Sequence, residues 1–181
     1  MAFITATPLQ SISLTSTTSS VTFIVANQSY TDLILVYNVG ITSGVDNVGI
    51  RFNGDTSNSY SNVNFGGNGS TANTSKGNSQ NMILADYYSP PNSSLESSGT
   101  IHINGYQNTN RYKTIISRVS TYASAVGLYG GMWRSSSAIN SITINAGSST
   151  FIAGSTFSLY GLYAGTPKAQ GGLIYSDSTY W

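Results

Sequence analysis

The chain has no cysteine, a single histidine and few charged residues. Charged side chains make up 7% of its 181 residues, whereas about 25% is usual for a globular domain. Without cysteine, the chain can form no disulfide, thiol nucleophile or thiolate metal site. One histidine leaves almost no ligands for a transition metal, so we expect no metal and no cofactor. The net charge of +1 gives no general attraction to nucleic acid.

Uncharged polar residues replace the missing charge. The chain contains 31 Ser, 20 Thr, 17 Asn and 19 Gly, together nearly half of its residues. A surface with little net charge repels copies of itself weakly, and it offers little charge for salt to screen. Such a composition favours a protein that works in an assembly outside a cell. It does not favour an acid–base enzyme or a nucleic-acid-binding protein.

The first eight residues contain no basic region and no useful apolar run, so we expect no signal peptide. No stretch approaches the roughly 18 to 20 apolar residues that a membrane span needs, and we expect no membrane partner. A protein that is made in a host cytoplasm and released by lysis, as virion proteins are, fits both features.

Alternation of apolar and polar residues predicts many short strands, and helix signals are nearly missing. Strands are predicted at 10–17, 20–26, 31–38, 48–53, 59–65, 80–86, 99–106, 111–119, 124–134 with 139–144, and 156–164. The fold class is therefore all-β with essentially no helix: an antiparallel, jelly-roll-like β-sandwich of about ten strands. We expect this domain to cover 1–164, with an N-terminal arm of about 1–18. Residues 165–181 are expected to form an extended tail or linker.

Three local patterns add detail to this prediction. Residues 33–37 are apolar on both faces, which predicts a central strand covered on both sides. Asn53 and Gly54 predict a tight turn. Residues 66–70 and 89–94 are predicted to be loops, and the first lacks the Lys and helix of a phosphate-binding loop. Because few charges protect the sheet edges, we expect the termini or neighbouring subunits to cover them.

A search for catalytic residues finds little. His102 must serve any Ser–His arrangement, but it alternates with Ile101 and Ile103 and is expected on the solvent side of a strand. A glycosidase needs two facing carboxylates; Asp46 and Asp55 lie in turn sequences, where Asp accepts backbone hydrogen bonds. The chain's carboxylates are Asp32, Asp46, Asp55, Asp86, Glu96 and Asp177. We therefore expect no enzyme, and a glycan-degrading enzyme is the weakest of the alternatives.

Arg111, Lys113 and Arg118 predict a small basic stripe on one strand, with Arg111 and Lys113 on one face beside two tyrosines. Basic and aromatic residues together can stack on bases. Three charges are few, so a solvated strand face is the favoured interpretation, and no nucleic-acid partner is expected.

Aromatic residues are the stronger functional signal, with 13 Tyr and 2 Trp. Tyrosine buries a large area while keeping one polar contact, which suits interfaces, and its ring also stacks on sugars. The candidates for a glycan or partner contact are Tyr87, Tyr88, Tyr106, Tyr112, Tyr180 and Trp181. Packing in the core or across strands remains the alternative for most tyrosines.

Several ordered stretches resemble a module found in structural proteins of tailed bacteriophages, notably marine ones. These stretches are 30–36, 50–55 with 59–60, 112–114, 131–135 with 138–143, and 154–161. The resemblance covers about 20–164 and implies a non-enzymatic β-module of a virion. It implies structural roles: a turn at Asn53 and Gly54, core positions for Trp133 and Ile142, and a local ion pair between Arg51 and Asp55.

These observations give two hypotheses for function. The first is a phage virion surface protein, either a capsid decoration (cement) protein or a head or tail fibre module. It would contact other virion proteins and copies of itself, as a homotrimer or another symmetric oligomer, with 5–18 and the tail as contact segments. The alternative is a carbohydrate-binding, receptor-recognition module of a tail fibre that binds a host surface glycan.

Overall fold

The computed structural model describes residues 5–25, 29–42, 46–86, 97–120 and 125–163. Within these ranges the regular structure consists of twelve β-strands without a helix. The strands are β1 (Thr5–Ser13), β2 (Ser20–Ile24), β3 (Asp32–Val39), β4 (Val48–Phe52), β5 (Tyr60–Gly67), β6 (Ala72–Gln80), β7 (Ile83–Asp86), β8 (Ser97–Asn104), β9 (Lys113–Ser120), β10 (Val126–Trp133), β11 (Ser141–Asn145) and β12 (Thr156–Tyr163).

The strands form two sheets, and every pairing is antiparallel. The large sheet has the order β1-β12-β3-β8-β9-β10-β5-β6, and the small sheet has the order β2-β11-β4-β7. Without the hairpins β5–β6 and β9–β10, the remaining orders are β1-β12-β3-β8 and β2-β11-β4-β7. This is the strand order of a jelly roll. The predicted all-β sandwich is confirmed, and the two hairpins extend one of its sheets by four strands.

The core lies between the sheets and follows the predicted alternation. Val21 and Phe23 of β2, Ile50 of β4 and Ile101 of β8 are buried, and so are their counterparts on the other strands. Each fully buried Val, Ile, Leu or Phe contributes about 1.5–3 kcal/mol of transfer free energy. The core is therefore continuous across the sandwich and does not depend on disulfides.

An aromatic cluster joins the two sheets near the Asn53–Gly54 turn. Phe52 of β4 lies 5.6 Å from Trp133 of β10, measured between ring centroids, and Tyr60 of β5 stacks on Trp133 at 6.3 Å. Trp133 and Ile142 are buried, as predicted. Asn53 and Gly54 have φ angles of 54° and 67°, and Asp55 N donates to Phe52 O. The predicted turn is confirmed.

Three strand predictions were wrong in detail. The strand predicted at 10–17 is β1, which begins at Thr5 and pairs with β12 of the same chain. The segment predicted as one strand, 124–134 with 139–144, is β10 of the large sheet and β11 of the small one. β6 was not predicted, because its sequence is polar on both faces; its pairing with β5 makes it a strand.

The prediction that residues 33–37 are covered on both sides is also wrong. β3 is central in its sheet, between β12 and β8, and Leu33, Leu35 and Tyr37 point into the core. The opposite side is open, and Val36 is 40% exposed there. Packing in the core therefore does not explain the apolar residues on this side.

Glycines allow tyrosine rings to lie flat on the inner side of the large sheet. A Cβ at Gly99 would overlap the ring of Tyr37, and one at Gly127 would overlap the ring of Tyr129. Both rings are buried. The two rings fit there because Gly99 and Gly127 have no Cβ that would occupy the same space.

Candidate functional site

The outer side of the large sheet, which faces away from the small sheet, carries exposed apolar side chains. We call this group the outer apolar patch; its members are Val36, Val63, Phe65, Ile116, Val126 and Leu128, which are 40–62% exposed. Strand register brings them together, because Phe65 pairs with Leu128 and Leu128 with Arg118. Scattered surface hydrophobics are normal, but a contiguous exposed patch marks an interaction site.

β5 contributes to this patch because its apolar side chains face outward and its polar side chains face the core. Asn62 and Asn64 face inward and are buried, whereas Val63 and Phe65 face outward. Ser75 Oγ donates to Asn64 Oδ1 at 2.5 Å, which partly satisfies the buried amide. Burying an amide costs free energy that burying Val or Phe does not. The orientation follows from Tyr60, because its inward ring fixes which side every second residue of the strand faces.

A groove of about 800 Å³ runs through the patch. Its lining includes Val36, Phe65, Val126 and Leu128, together with hydroxyl groups of Ser and Thr on β8 and β9. Arg118 is the only charged side chain among the lining residues that the structure describes. The groove therefore suits an apolar occupant that carries an acidic group.

The described carboxylates are engaged elsewhere. Asp46 accepts hydrogen bonds from the backbone N–H groups of Asn47 and Ser148, each at 2.7 Å. Burial would raise the pKa of Asp46, but these bonds and the Ser148 hydroxyl outweigh that effect and lower it. Asp55 accepts hydrogen bonds in its own turn from Ser57. Both residues accept backbone hydrogen bonds, as predicted, but only Asp55 does so within its own turn, because Asp46 also binds Ser148 of a distant segment.

Asp86 is a further described carboxylate, and it is buried. Burial raises the pKa of Tyr37 well above its ordinary value, and the charge of Asp86 raises it further. Nearby, Ser117 Oγ of β9 donates to Ala85 O of β7 at 2.9 Å. This polar cluster joins the two sheets inside the sandwich, away from the groove's open side.

His102 lies on the outer side of β8, as predicted, and its side chain is 37% exposed. Its Nε2 is 3.0 Å from Asp32 Oδ2, while Asp32 Oδ1 accepts a hydrogen bond from Gly105 N at 2.7 Å. The cross-strand neighbours of His102 are Ile34 and Ile116. Neither of these two cross-strand positions therefore supplies a nucleophile to the His102–Asp32 pair.

The predicted basic stripe is wrong. Lys113 is buried, and its Nζ donates to Arg111 O at 3.1 Å and to Ser136 O at 3.2 Å. Loss of hydration lowers the pKa of Lys113, and the charge of Arg111 lowers it further. Arg118 faces the opposite side of the sheet. The three cations therefore form no common surface.

The predicted ion pair between Arg51 and Asp55 is also wrong. Arg51 Nε donates to Asn81 O at 3.0 Å, whereas Asp55 binds hydroxyl groups and Trp133. In the part of the chain that the structure describes, the only ion pair is the one between His102 and Asp32.

Two of the six predicted contact residues, Tyr106 and Tyr112, lie in the described structure. Tyr106 is fully buried in the core, so it offers no ring to a sugar or a partner, and its assignment as a contact is corrected. Tyr112 is 53% exposed. Tyr87, Tyr88, Tyr180 and Trp181 lie outside the described residues. Sequence reasoning missed the outer apolar patch, since alternation does not tell which side of a sheet is open.

Two further properties of the described residues bear on the site. They contain no cluster of three or more His, Cys, Asp or Glu side chains that could hold a metal ion. No helix with the length and hydropathy of a membrane span occurs among them.

Comparison with known proteins adds no assignment. No protein-family model matches the sequence, and no curated protein matches it.

Proposed function

We propose that the chain is a non-enzymatic structural module on the surface of a bacteriophage virion, either a capsid decoration protein or a module of a head or tail fibre. Its partners are other virion proteins and further copies of itself, in a homotrimer or another symmetric oligomer. The observation that carries the proposal is the outer apolar patch, which leaves Phe65 50% exposed and Val126 62% exposed on the outer side of the large sheet. Burial of this patch against a protein neighbour stabilises an assembly.

Other features support the same function. Three of the described carboxylates, Asp32, Asp46 and Asp55, accept hydrogen bonds from the fold itself. Contacts made by uncharged polar and apolar groups are weakly dependent on ionic strength. The outer patch sits on strands fixed on both sides by pairing, so it is preorganised for binding.

Mass spectrometry of density-banded particles from the source phage tests the proposal. We expect the chain in banded particles at a fixed copy number, which separates a decoration protein with many copies from a fibre with few. Detection of the chain in the lysate but not in banded particles would contradict the proposal.

One observation favours the carbohydrate-binding alternative. Tyr112 is 53% exposed beside the exposed Arg111, and an exposed ring next to a cation can stack on a sugar. Binding to a glycan array that Tyr112→Ala abolishes would support this second function. Equal binding by wild type and Tyr112→Ala would remove Tyr112 as the sugar contact.

A further inference from the structure

The cation of the groove in the outer apolar patch has no carboxylate beside it among the described lining residues. Arg118 is exposed between Leu128 and Thr100 of the neighbouring strands. None of the described lining residues is acidic. An occupant that combines apolar side chains with one carboxylate would complement the groove in both shape and charge.

A face-to-face contact between two copies does not meet this requirement. In a two-fold contact each copy presents the same surface to the other. Two Arg118 side chains would then share one apolar interface in which no described lining residue is a carboxylate, and like charges in such a setting repel. The occupant is therefore a different surface of the chain, from the same copy or from a neighbour.

One segment outside the described residues combines these properties at the end of the sequence. Residues 173–181 combine Leu173, Ile174, Tyr175, Tyr180 and Trp181 with a single carboxylate, Asp177, and no cation. Glycines at 171 and 172 precede the segment in the sequence, and glycine restricts the backbone less than any other residue.

We propose that residues 173–181 of one copy bind in the groove of the next copy, with Asp177 beside Arg118. This proposal rests on the proposed assembly function and names the contact through which copies join. The contact is head-to-tail, because the groove and the segment are different surfaces. Repeated around an axis, such contacts close into a ring such as a trimer.

Strand direction favours the neighbour over the segment's own groove. Arg118 is in register with Ser158 of β12 through Thr100 and Val36. β12 continues from Ser158 away from the groove and ends at Tyr163. Binding to its own groove would require the chain to reverse over about 22 Å, from strand rise and spacing. A neighbour beyond Tyr163 needs no reversal.

Cysteine pairs test the contact directly, because the natural chain has no cysteine. We expect the full chain with Ser120→Cys and Ser178→Cys, under mild oxidation, to form disulfides between copies that end in a closed ring of fixed size. Ser120 lies on the outer side of β9, two residues from Arg118. The matched control pairs Ser178→Cys with Thr114→Cys, at the other end of β9 on the same side, and should cross-link at the background rate.

A charge exchange separates specific binding from chance collision. Arg118→Glu should slow the cross-linking of the Ser120–Ser178 cysteine pair about fivefold, the scale of an exposed ion pair. Adding Asp177→Arg should restore the rate. A disulfide within one molecule, or equal rates for the Thr114 control, would overturn the proposal. Cross-linking without incorporation into particles would instead contradict the virion function alone.

Discussion

Trp133 Nε1 donates a hydrogen bond of 2.7 Å to Asp55 Oδ2. Trp133 ends β10 of the large sheet, and Asp55 follows the turn after β4 of the small sheet. Ser57 and Ser59 donate to the same carboxylate at 2.6 Å. The Asp55 carboxylate therefore links the two sheets at this end of the sandwich, where the chain passes from one sheet to the other.

The first prediction concerns this carboxylate. Burial would raise the pKa of Asp55, but the hydrogen bonds from Ser57, Ser59 and Trp133 outweigh it and hold the pKa well below its usual range. Asp55→Asn should lower the free energy of unfolding at pH 7 by about 2 kcal/mol, because hydrogen bonds to a charged acceptor are lost. Denaturant unfolding measures this loss.

The same substitution changes the acid response. In the folded state the pKa of Asp55 lies below its unfolded value of about 3.9. The ionised carboxylate therefore stabilises the fold in full at any pH above that unfolded value. This stabilisation is lost as the pH falls towards the folded pKa. We expect the unfolding free energy of the wild type to fall more steeply between about pH 5 and 2 than that of Asp55→Asn. Parallel curves would show that the fold does not lower the pKa of Asp55, and would contradict the assigned hydrogen bonds.

The second prediction concerns the Tyr60 hydroxyl, which accepts from Phe52 N at 3.1 Å and donates to Asp55 O at 3.1 Å. Tyr60→Phe leaves the buried amide of Phe52 without this acceptor, at a cost of about 1–3 kcal/mol. Burial raises the pKa of Tyr60 from 10.0 to about 12. The neutral Tyr60 hydroxyl therefore stabilises the fold at lower pH, and this contribution is lost as the pH rises from 10.0 to about 12.

We therefore expect Tyr60→Phe to show a shallower loss of stability than the wild type over this alkaline range, measured by denaturant unfolding. Some loss persists in the variant, because burial also raises the pKa of Tyr37 and Tyr106. Identical alkaline slopes would contradict the assigned environment of Tyr60.

The third prediction uses the close approach of Gly99 and Tyr37. Gly99→Ala places a methyl group in the space of the buried ring, and overpacking of this kind costs about 1–3 kcal/mol. Gly130→Ala is the matched control, since its nearest neighbour, Val63 Cγ1, is 3.4 Å from the added Cβ. The control should stay within about 0.5 kcal/mol of the wild type. Equal effects at the two glycines would show that Tyr37 is free to move aside.

Much of the fold could be predicted from local pattern. Phe23, Ile50, Ile101 and Ile142 alternate with polar residues and occupy the core as expected, because a half-buried strand needs a period of two. β6 could not be predicted in this way. Its sequence has no apolar side, and the hairpin pairing with β5 makes it a strand.

The candidate site was less accessible to sequence reasoning. Val63 and Phe65 look like core residues, and their neighbours Asn62 and Asn64 look like surface residues, yet the positions are reversed. The reversal depends on Tyr60 facing Trp133, which is a tertiary contact. Lys113 shows the same limit, because its burial against two carbonyl groups has no local signal.

The central claim is that the outer apolar patch is an assembly surface. The most direct measurement compares the full-length wild type at micromolar concentration with a variant carrying Phe65→Ser and Leu128→Ser, by sedimentation equilibrium and thermal unfolding. Ile24→Ser is the control, because Ile24 is 70% exposed on the small sheet. We predict an oligomer for the wild type and the control, and a monomer of unchanged fold for the double variant. A monomeric wild type, or a double variant that stays oligomeric, would contradict the account.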